Sequence, residues 1–178
     1  MTKTLDTPRG AVTVRPASAE DAERLAAIRT EAVTLHPTSF GSTPEEVTTY
    51  DWTDLTGGGT RESAVFVAEH AGELIGLTGV FRSARVKDAH HADVWGVYVR
   101  EPWRRSGIAQ ALVNAAVDWA AARGVAIVKL TVVPESGALG CYHRCGFRVT
   151  GVDPAALKVD GKYYDEILMS RWIAPAPR

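Results

Sequence analysis

Hydrophobic and polar positions alternate along most of the first half of the chain, with one helical interruption. Residues 11–15 alternate and are β-branched, which predicts a strand. Ser18 is a helix-capping residue with an acid three positions on, and apolar residues then recur at helical spacing to about Leu35. A second, shorter helix follows a polar break. Residues 63–86 then hold two alternating runs joined at Gly72, which indicates a β-hairpin.

The second half places long apolar strands between helices. Residues 91–99 are apolar on both faces, which predicts a central strand. An amphipathic helix is predicted from Gly107 to about Arg123. A buried strand over 125–133, a short helix and a closing hairpin around Asp160 complete the chain. The element order β-α-α-β-β-β-α-β-α-β-β indicates one mixed α/β domain.

This order sets the domain boundaries. The chain has 178 residues, which fits one domain around one hydrophobic core. We expect the domain to cover residues 11–173. The flanking segments 1–10 and 174–178 are polar or rich in proline and are expected to be disordered tails.

Composition narrows the classes of partner. Lys and Arg number 20 against 21 Asp and Glu, a net charge of -1, so no overall positive field would gather nucleic acid or a membrane surface. No apolar run approaches a membrane span, and the first ten residues lack the hydrophobic segment of a secretory signal. With only two cysteines we expect a cytoplasmic location. Cys141 and Cys145 bracket His143 without a second ligand pair, so no metal is expected.

A local anion site is predicted between the central strand and the helix that follows it. The first N–H groups of a helix have no partner, and the positive end of its dipole points outward. Gly107 and Ala109 keep this helix start free of bulk, while Arg104 and Arg105 add donors suited to phosphate. The alternative is a solvated basic turn. Three spaced glycines of a dinucleotide fingerprint are absent from the sequence.

The same residues carry a resemblance to a known family. Arg-x-x-Gly-x-Ala between the strand WGVYV and an amphipathic helix resembles the acetyl-coenzyme A (acetyl-CoA) signature of the GCN5-related N-acetyltransferases (GNAT). The later run LTVVPESGALGCYHRCGF resembles the family's strand, Asn-x-x-Ala-x-x-x-Tyr helix and Gly-Phe. The likeness extends from about Val12 to Trp172. It implies a single-domain GNAT-like α/β fold, with a mixed, mostly antiparallel sheet of about six to seven strands flanked by about four helices.

The resemblance implies acetyl-CoA as the cosubstrate and assigns residues to it. The backbone around Val97, Tyr98 and Val99 would hold the pantetheine arm, and an amide near Val97 would stabilise the oxyanion. The pyrophosphate would lie on the loop formed by Arg104, Arg105, Ser106, Gly107, Ile108 and Ala109. The sequence leaves open which arginine side chain touches phosphate. Glu135 stands where relatives usually carry asparagine, so Ser136 could take over its contact, or Glu135 could act as an acid, a base or a substrate anchor.

Acid and base candidates follow from the same resemblance. Tyr142 matches the tyrosine that the family often uses to protonate the departing thiolate. Strand alternation places His91, Asp93, Trp95, Val97 and Val99 on one face. Asp93 occupies the position of the family's base, with His91 as the second choice. The alternative for Asp93 is a structural ion pair at the strand end.

The sequence gives less specific information about the site for the acceptor amine. The loop from Leu35 to Glu46 and the final strand resemble the two walls of the acceptor pocket in small-molecule members. Candidate substrate-binding residues are Phe40, Ser42, Trp95, Tyr163, Tyr164 and Asp165. We therefore expect an acetyl-CoA-dependent N-acetyltransferase acting on a small-molecule primary amine in a ternary complex. The alternatives are a non-catalytic acyl-CoA sensor and an acyltransferase for protein amines, and a homodimer is left open.

Overall fold

A computed structural model describes residues 2–58 and 62–174 of the chain. Its strands are β1 (Lys3–Thr7), β2 (Gly10–Pro16), β3 (Ser63–His70), β4 (Glu73–Arg82), β5 (His91–Val99), β6 (Ile127–Val132), β7 (Arg148–Val159) and β8 (Lys162–Trp172). Its α-helices are α1 (Ala22–Leu35), α2 (Pro44–Val47), α3 (Ile108–Ala121) and α4 (Leu139–Arg144). Short 3-10 or π turns cover Ala19–Asp21, Asp54–Gly58, Glu101–Trp103 and Pro134–Ser136.

The eight strands form one mixed sheet in the order β1-β2-β3-β4-β5-β6-β8-β7. Every neighbouring pair is antiparallel except β5 and β6, which run parallel because α3 connects them. The predicted single-domain α/β fold is therefore confirmed, with one strand more than the expected six to seven. No helix in the described parts of the chain is long and apolar enough to cross a membrane.

The additional strand lies in the segment expected to be a disordered tail. Residues Lys3–Thr7 pair with β2, from Lys3 opposite Val14 to Thr7 opposite Gly10. The turn is tight because Gly10 takes φ 111° and Thr7 Oγ1 donates to its carbonyl oxygen at 2.7 Å. The hydrophobic pattern did not predict this edge strand because most of its side chains are polar. Residues 175–178 of the other expected tail lie outside the described residues.

Two hydrophobic clusters cover the two faces of the sheet. The larger one packs α3 and α4 against one face, with Leu112, Val128 and Phe147 fully buried. The smaller one packs α1 and α2 against the other face around Leu25 and Leu77. Because helices cover both faces, the central strands are apolar on both sides. A ligand can reach the middle of the sheet only where neighbouring strands separate.

Candidate active site

Strands β5 and β6 separate partway along their length. They pair over three positions only, from His91 opposite Ile127 to Asp93 opposite Lys129. Beyond Asp93, the edge of β5 that faces β6 has no strand partner in the described chain. Unpaired backbone groups must be satisfied by other means, so this edge is suited to hydrogen bonding an extended ligand.

A cavity of about 580 Å³ lies along this gap, between β5, α3 and α4. We call it the larger cavity. Most of the residues predicted to bind the cofactor line it: Val97, Tyr98, Val99, Arg104, Arg105, Gly107, Ile108, Ala109 and Ser136. The structure places the other two outside its lining. Ser106 Oγ donates to the Trp103 carbonyl oxygen at 2.5 Å, and Glu135 is exposed in a short turn.

The loop before α3 has the geometry of an anion site. Arg105 and Gly107 have φ values of 62° and 84°, and α3 begins at Ile108. A Cβ atom at position 107 would meet nothing within 4 Å, so the left-handed backbone, and not crowding, calls for glycine here. The first N–H groups of α3 have no partner in the helix and lie at the edge of the larger cavity.

The two arginines of this loop have different surroundings. Arg104 Nε donates to the Val99 carbonyl oxygen at 2.9 Å, and its Nη2 lies 2.8 Å from His36 Nε2. Arg104 thereby ties the loop to the ends of β5 and α1. Arg105 is exposed and makes no hydrogen bond to any described residue. Of the two guanidinium groups, the one on Arg105 is therefore available to a ligand.

Tyr142 lies where the larger cavity meets a second one. It is 7% exposed, packs edge-on against Phe147 and lines both cavities. Burial raises the pKa of its phenol, so the hydroxyl stays protonated at neutral pH. A buried phenol beside a cavity can donate a proton to a leaving group there.

Cys141 also lines the larger cavity, which the sequence did not indicate. A hydrogen bond from Cys145 lowers the pKa of the Cys141 thiol to about 7. Within residues 2–58 and 62–174, no group of histidine, cysteine or acidic side chains is arranged to hold a metal ion.

The second cavity has a volume of about 310 Å³ and lies between the separated strands on the α1 side. We call it the smaller cavity. Three of the residues predicted to bind the substrate line it: Phe40, Ser42 and Trp95. The three candidates on the final strand do not line this cavity. Tyr163 is 65% exposed, and Tyr164 pairs opposite Leu157 in the β7–β8 hairpin. Asp165 Oδ1 accepts a hydrogen bond from the Ala155 N–H at 2.8 Å. The final strand reaches the cavity one residue later, through Glu166.

The predicted alternation along β5 is wrong because the strand contains a bulge. Gly96 has φ 66°, and the register with β4 shifts between Leu77 and Gly79. Trp95 therefore packs in the α1 cluster, whereas Val97 and Val99 pack in the α3 cluster on the opposite face. The signal was the glycine itself, since an isolated glycine inside a strand pattern indicates a bulge.

Asp93 and His91 lie at the closed end of the gap and line neither cavity. Burial raises the pKa of Asp93, against the opposing charge of Lys129. Lys129 Nζ lies 3.1 Å from His91 Nδ1, and burial together with this charge lowers the pKa of His91. Only through a water molecule could Asp93 act on a group in the smaller cavity.

Two charged residues of the smaller cavity were not anticipated. Glu166, half-buried on β8, is the carboxylate that lines it. Arg29 lines it from α1, the helix that covers this face of the sheet, and is only 4% exposed. Burial lowers the pKa of Arg29. No local sequence pattern identifies either residue, because the fold alone brings α1 and β8 together.

Comparison with known proteins defines the class. The chain matches the Acetyltransferase (GNAT) family over residues 25–147, well over half of its length. The chain therefore belongs to this acetyltransferase family. An uncharacterised N-acetyltransferase of Methanocaldococcus jannaschii is 33% identical over 89 residues, which cover 48% of this chain and 39% of that protein. The chain thus spans about two fifths of the length of this relative.

Solved structures share the whole fold. A GNAT acetyltransferase from Streptococcus pneumoniae is 24% identical with a TM-score of 0.76, covering 91% of this chain and 99% of that one. A Salmonella typhimurium protein solved with its cofactor acetyl-CoA is 20% identical with a TM-score of 0.76, covering 94% and 96%. A GCN5-related N-acetyltransferase from Kribbella flavida is 23% identical with a TM-score of 0.75, covering 91% and 98%.

Proposed function

We propose that the chain is an acetyl-CoA-dependent N-acetyltransferase that acts on a small-molecule primary amine by direct attack in a ternary complex. The observation that carries this proposal is that Tyr142 lies where two adjoining cavities meet. The larger cavity suits an extended cosubstrate, and the smaller one suits a compact acceptor, because about 310 Å³ is near the lower limit for small-molecule sites.

The larger cavity has the features that acetyl-CoA needs. The amides at the start of α3 and the Arg105 guanidinium would hold the pyrophosphate. The unpaired edge of β5 around Val97 and Val99 would hold the pantetheine arm, as an added strand does. Bound acetyl-CoA supplies the acetyl group as a thioester.

The amine has to lose a proton and the departing thiolate has to gain one. We assign the first role to Glu166, because it is the carboxylate that lines the smaller cavity. Asp93 is the second candidate, acting through water from the closed end of the gap, and its raised pKa suits a base. We assign the second role to the Tyr142 hydroxyl. The neutral amine nitrogen bonds to the acetyl carbon as the carbon–sulfur bond breaks. Of the two protons that an ammonium loses overall, one leaves to solvent through the base and the other balances the proton that Tyr142 gives to the thiolate and regains from solvent.

The proposal is tested by incubating the purified chain with acetyl-CoA and a panel of amines, amino acids and polyamines, with thiol release as the readout. Mass spectrometry of the products then identifies the new bond. Acetyl amides formed at rates well above the enzyme-free reaction are the expected result. Acetyl esters would contradict N-transfer. Tight acetyl-CoA binding without transfer to any amine would contradict catalysis and favour a sensor.

A further inference from the structure

The Arg29 side chain is buried without the partners that a buried charge requires. Arg29 is 4% exposed, and neither its Nε nor its Nη1 has a hydrogen-bond partner. No carboxylate of the described chain lies within ion-pair distance of it. Burying an unpaired guanidinium is strongly unfavourable, so such groups normally bind an anion. The missing anion is therefore expected to come from a ligand.

The surroundings of Arg29 hold the guanidinium in place and leave Nε and Nη1 without a hydrogen-bond partner. Its Cζ lies 4.6 Å from the ring centroid of Phe40 and 5.7 Å from that of Trp95. Aromatic rings position a guanidinium through cation–π contact and leave its N–H groups free. Tyr50 is the neighbouring polar group: its interaction with Arg29 opposes the lowering of the Arg29 pKa by burial but supplies no carboxylate, and its hydroxyl lies 2.5 Å from Ser42 Oγ. All four of these residues line the smaller cavity.

The charges around the smaller cavity complement a molecule that carries both signs. Of the described residues that line it, Arg29 and Glu166 are the only charged ones; Arg29 comes from α1 and Glu166 from β8 of the sheet. An amine alone would interact with Glu166 and leave Arg29 unpaired. An amine that also carries an anionic group would satisfy both.

We propose that the smaller cavity selects amines that carry a carboxylate, that is, acceptors of the amino-acid class. Arg29 donates to the carboxylate, and the amino group is directed towards Glu166 and Tyr142. The planar donor array of a guanidinium matches a carboxylate better than any other side chain does. This inference rests on the proposed function, because it names the substrate class of the same site.

The test compares each proteinogenic L-amino acid with its C-terminal amide, which keeps the amine and removes the negative charge. We expect at least one amino acid to be acetylated with kcat/KM tenfold or more above that of its amide. Arg29→Met is expected to lower the ratio of kcat/KM for the amino acid to kcat/KM for its amide about tenfold to hundredfold. Comparing the acid-to-amide ratio between wild type and variant cancels the different basicity of the two amines.

Two controls separate recognition from folding. Arg24→Met removes an arginine from the same helix that is bound to Asp21 and the Gly72 carbonyl oxygen, and it should leave the acid-to-amide ratio unchanged. Arg29→Met should unfold at the same temperature as wild type or higher, because it removes a buried unpaired charge. A structural role for Arg29 predicts a lower unfolding temperature and an unchanged ratio, and that result would overturn the inference.

Failure of the inference and failure of the proposed function give different results. Acetylation of amides as efficient as that of amino acids would leave the enzyme in place and overturn the carboxylate site. If no amine is acetylated, calorimetric titration of the same amino acids into the coenzyme A-bound protein decides. Binding by wild type that Arg29→Met abolishes supports the site, and no binding of any amino acid overturns it.

Discussion

The indole of Trp95 lies directly against the backbone of Gly79 across the β4–β5 pair. A Cβ atom at position 79 would lie 2.0 Å from Trp95 Cε2, far inside van der Waals contact. Trp95 lines the smaller cavity. The absence of a side chain at Gly79 therefore determines the position of the indole that forms one wall of this cavity.

Gly79→Ala should therefore displace Trp95. We expect the free energy of unfolding to fall by about 1–3 kcal/mol and KM for the acceptor to rise, while the affinity for coenzyme A changes little. Chemical denaturation and steady-state kinetics measure these effects. Gly151→Ala is the matched control, because a Cβ atom there meets only the end of Leu168 at 3.4 Å. Equal losses in both variants would contradict the contact.

Mutations of the two loop arginines, Arg104 and Arg105, should have different effects. Arg105→Ala is expected to weaken coenzyme A binding about threefold to tenfold at low salt and less at high salt, without loss of stability. Arg104→Ala should also lower the free energy of unfolding by about 1 kcal/mol, because it removes the bonds to Val99 and His36. Calorimetry at two salt concentrations tests both. Arg123→Ala, at the far end of α3, is the control, and identical behaviour of all three variants would refute the assignment.

Tyr142→Phe should lower kcat about 100-fold while coenzyme A binds normally, because only the proton donor is lost. Burial raises the pKa of Tyr142 above the ordinary value of about 10. The phenol is protonated below its pKa, so a raised pKa extends its donor form towards alkaline pH. Wild-type kcat should show no alkaline decline from this group below about pH 10. A variant with wild-type kcat would remove Tyr142 from the mechanism.

The base can be identified by removing one carboxylate at a time. Glu166→Gln is expected to lower kcat/KM about 100-fold, and Asp93→Asn far less. Asp165→Asn is the control, since its side chain binds the Ala155 N–H away from the cavity. The opposite order of effects would assign the role to Asp93. In that case the acidic limb of the pH profile would lie above the usual carboxylate range, because burial raises the pKa of Asp93.

Cys141 should react with iodoacetamide at nearly neutral pH. The hydrogen bond with Cys145 lowers the pKa of Cys141, so the alkylation rate should rise at a lower pH than for an ordinary cysteine, since only the thiolate reacts. Coenzyme A should protect it, because Cys141 lines the larger cavity. Cys145, 3% exposed, should remain unmodified, and Cys141→Ser abolishes labelling. A midpoint near the ordinary value of about 8.5 would contradict the Cys145 hydrogen bond.

The parts of the molecule predicted from sequence are those that depend on local chemistry. The hairpin turns, the turn capped by Ser18 and Asp21 that leads into α1, and the loop from Arg104 to Ala109 before α3 are all encoded by neighbouring residues. The confirmed single-domain fold followed from the element order. Tyr142, which its motif marked as a candidate proton donor, lies beside the larger cavity, and its role stays a prediction.

The remaining features depend on contacts between distant segments. One left-handed glycine, Gly96, reverses which face the second half of β5 presents, and this reversal separates Trp95 from Val97. Arg29 and Glu166 meet at one cavity from α1 and β8, which are far apart in the sequence. An alternation pattern cannot include a bulge, and periodicity along one helix does not reveal what lies opposite it.

The three-position pairing of β5 with β6 also affects the cohesion of the protein. It joins a five-stranded part of the sheet, β1 to β5, to a three-stranded part made of β6, β8 and β7. A molecule that fills the smaller cavity contacts both parts of the sheet, because Trp95 of β5, Leu130 of β6 and Glu166 of β8 all line it. Its binding free energy then adds to the stability of the fold. Filling the smaller cavity should therefore also strengthen the sheet across its three-residue junction.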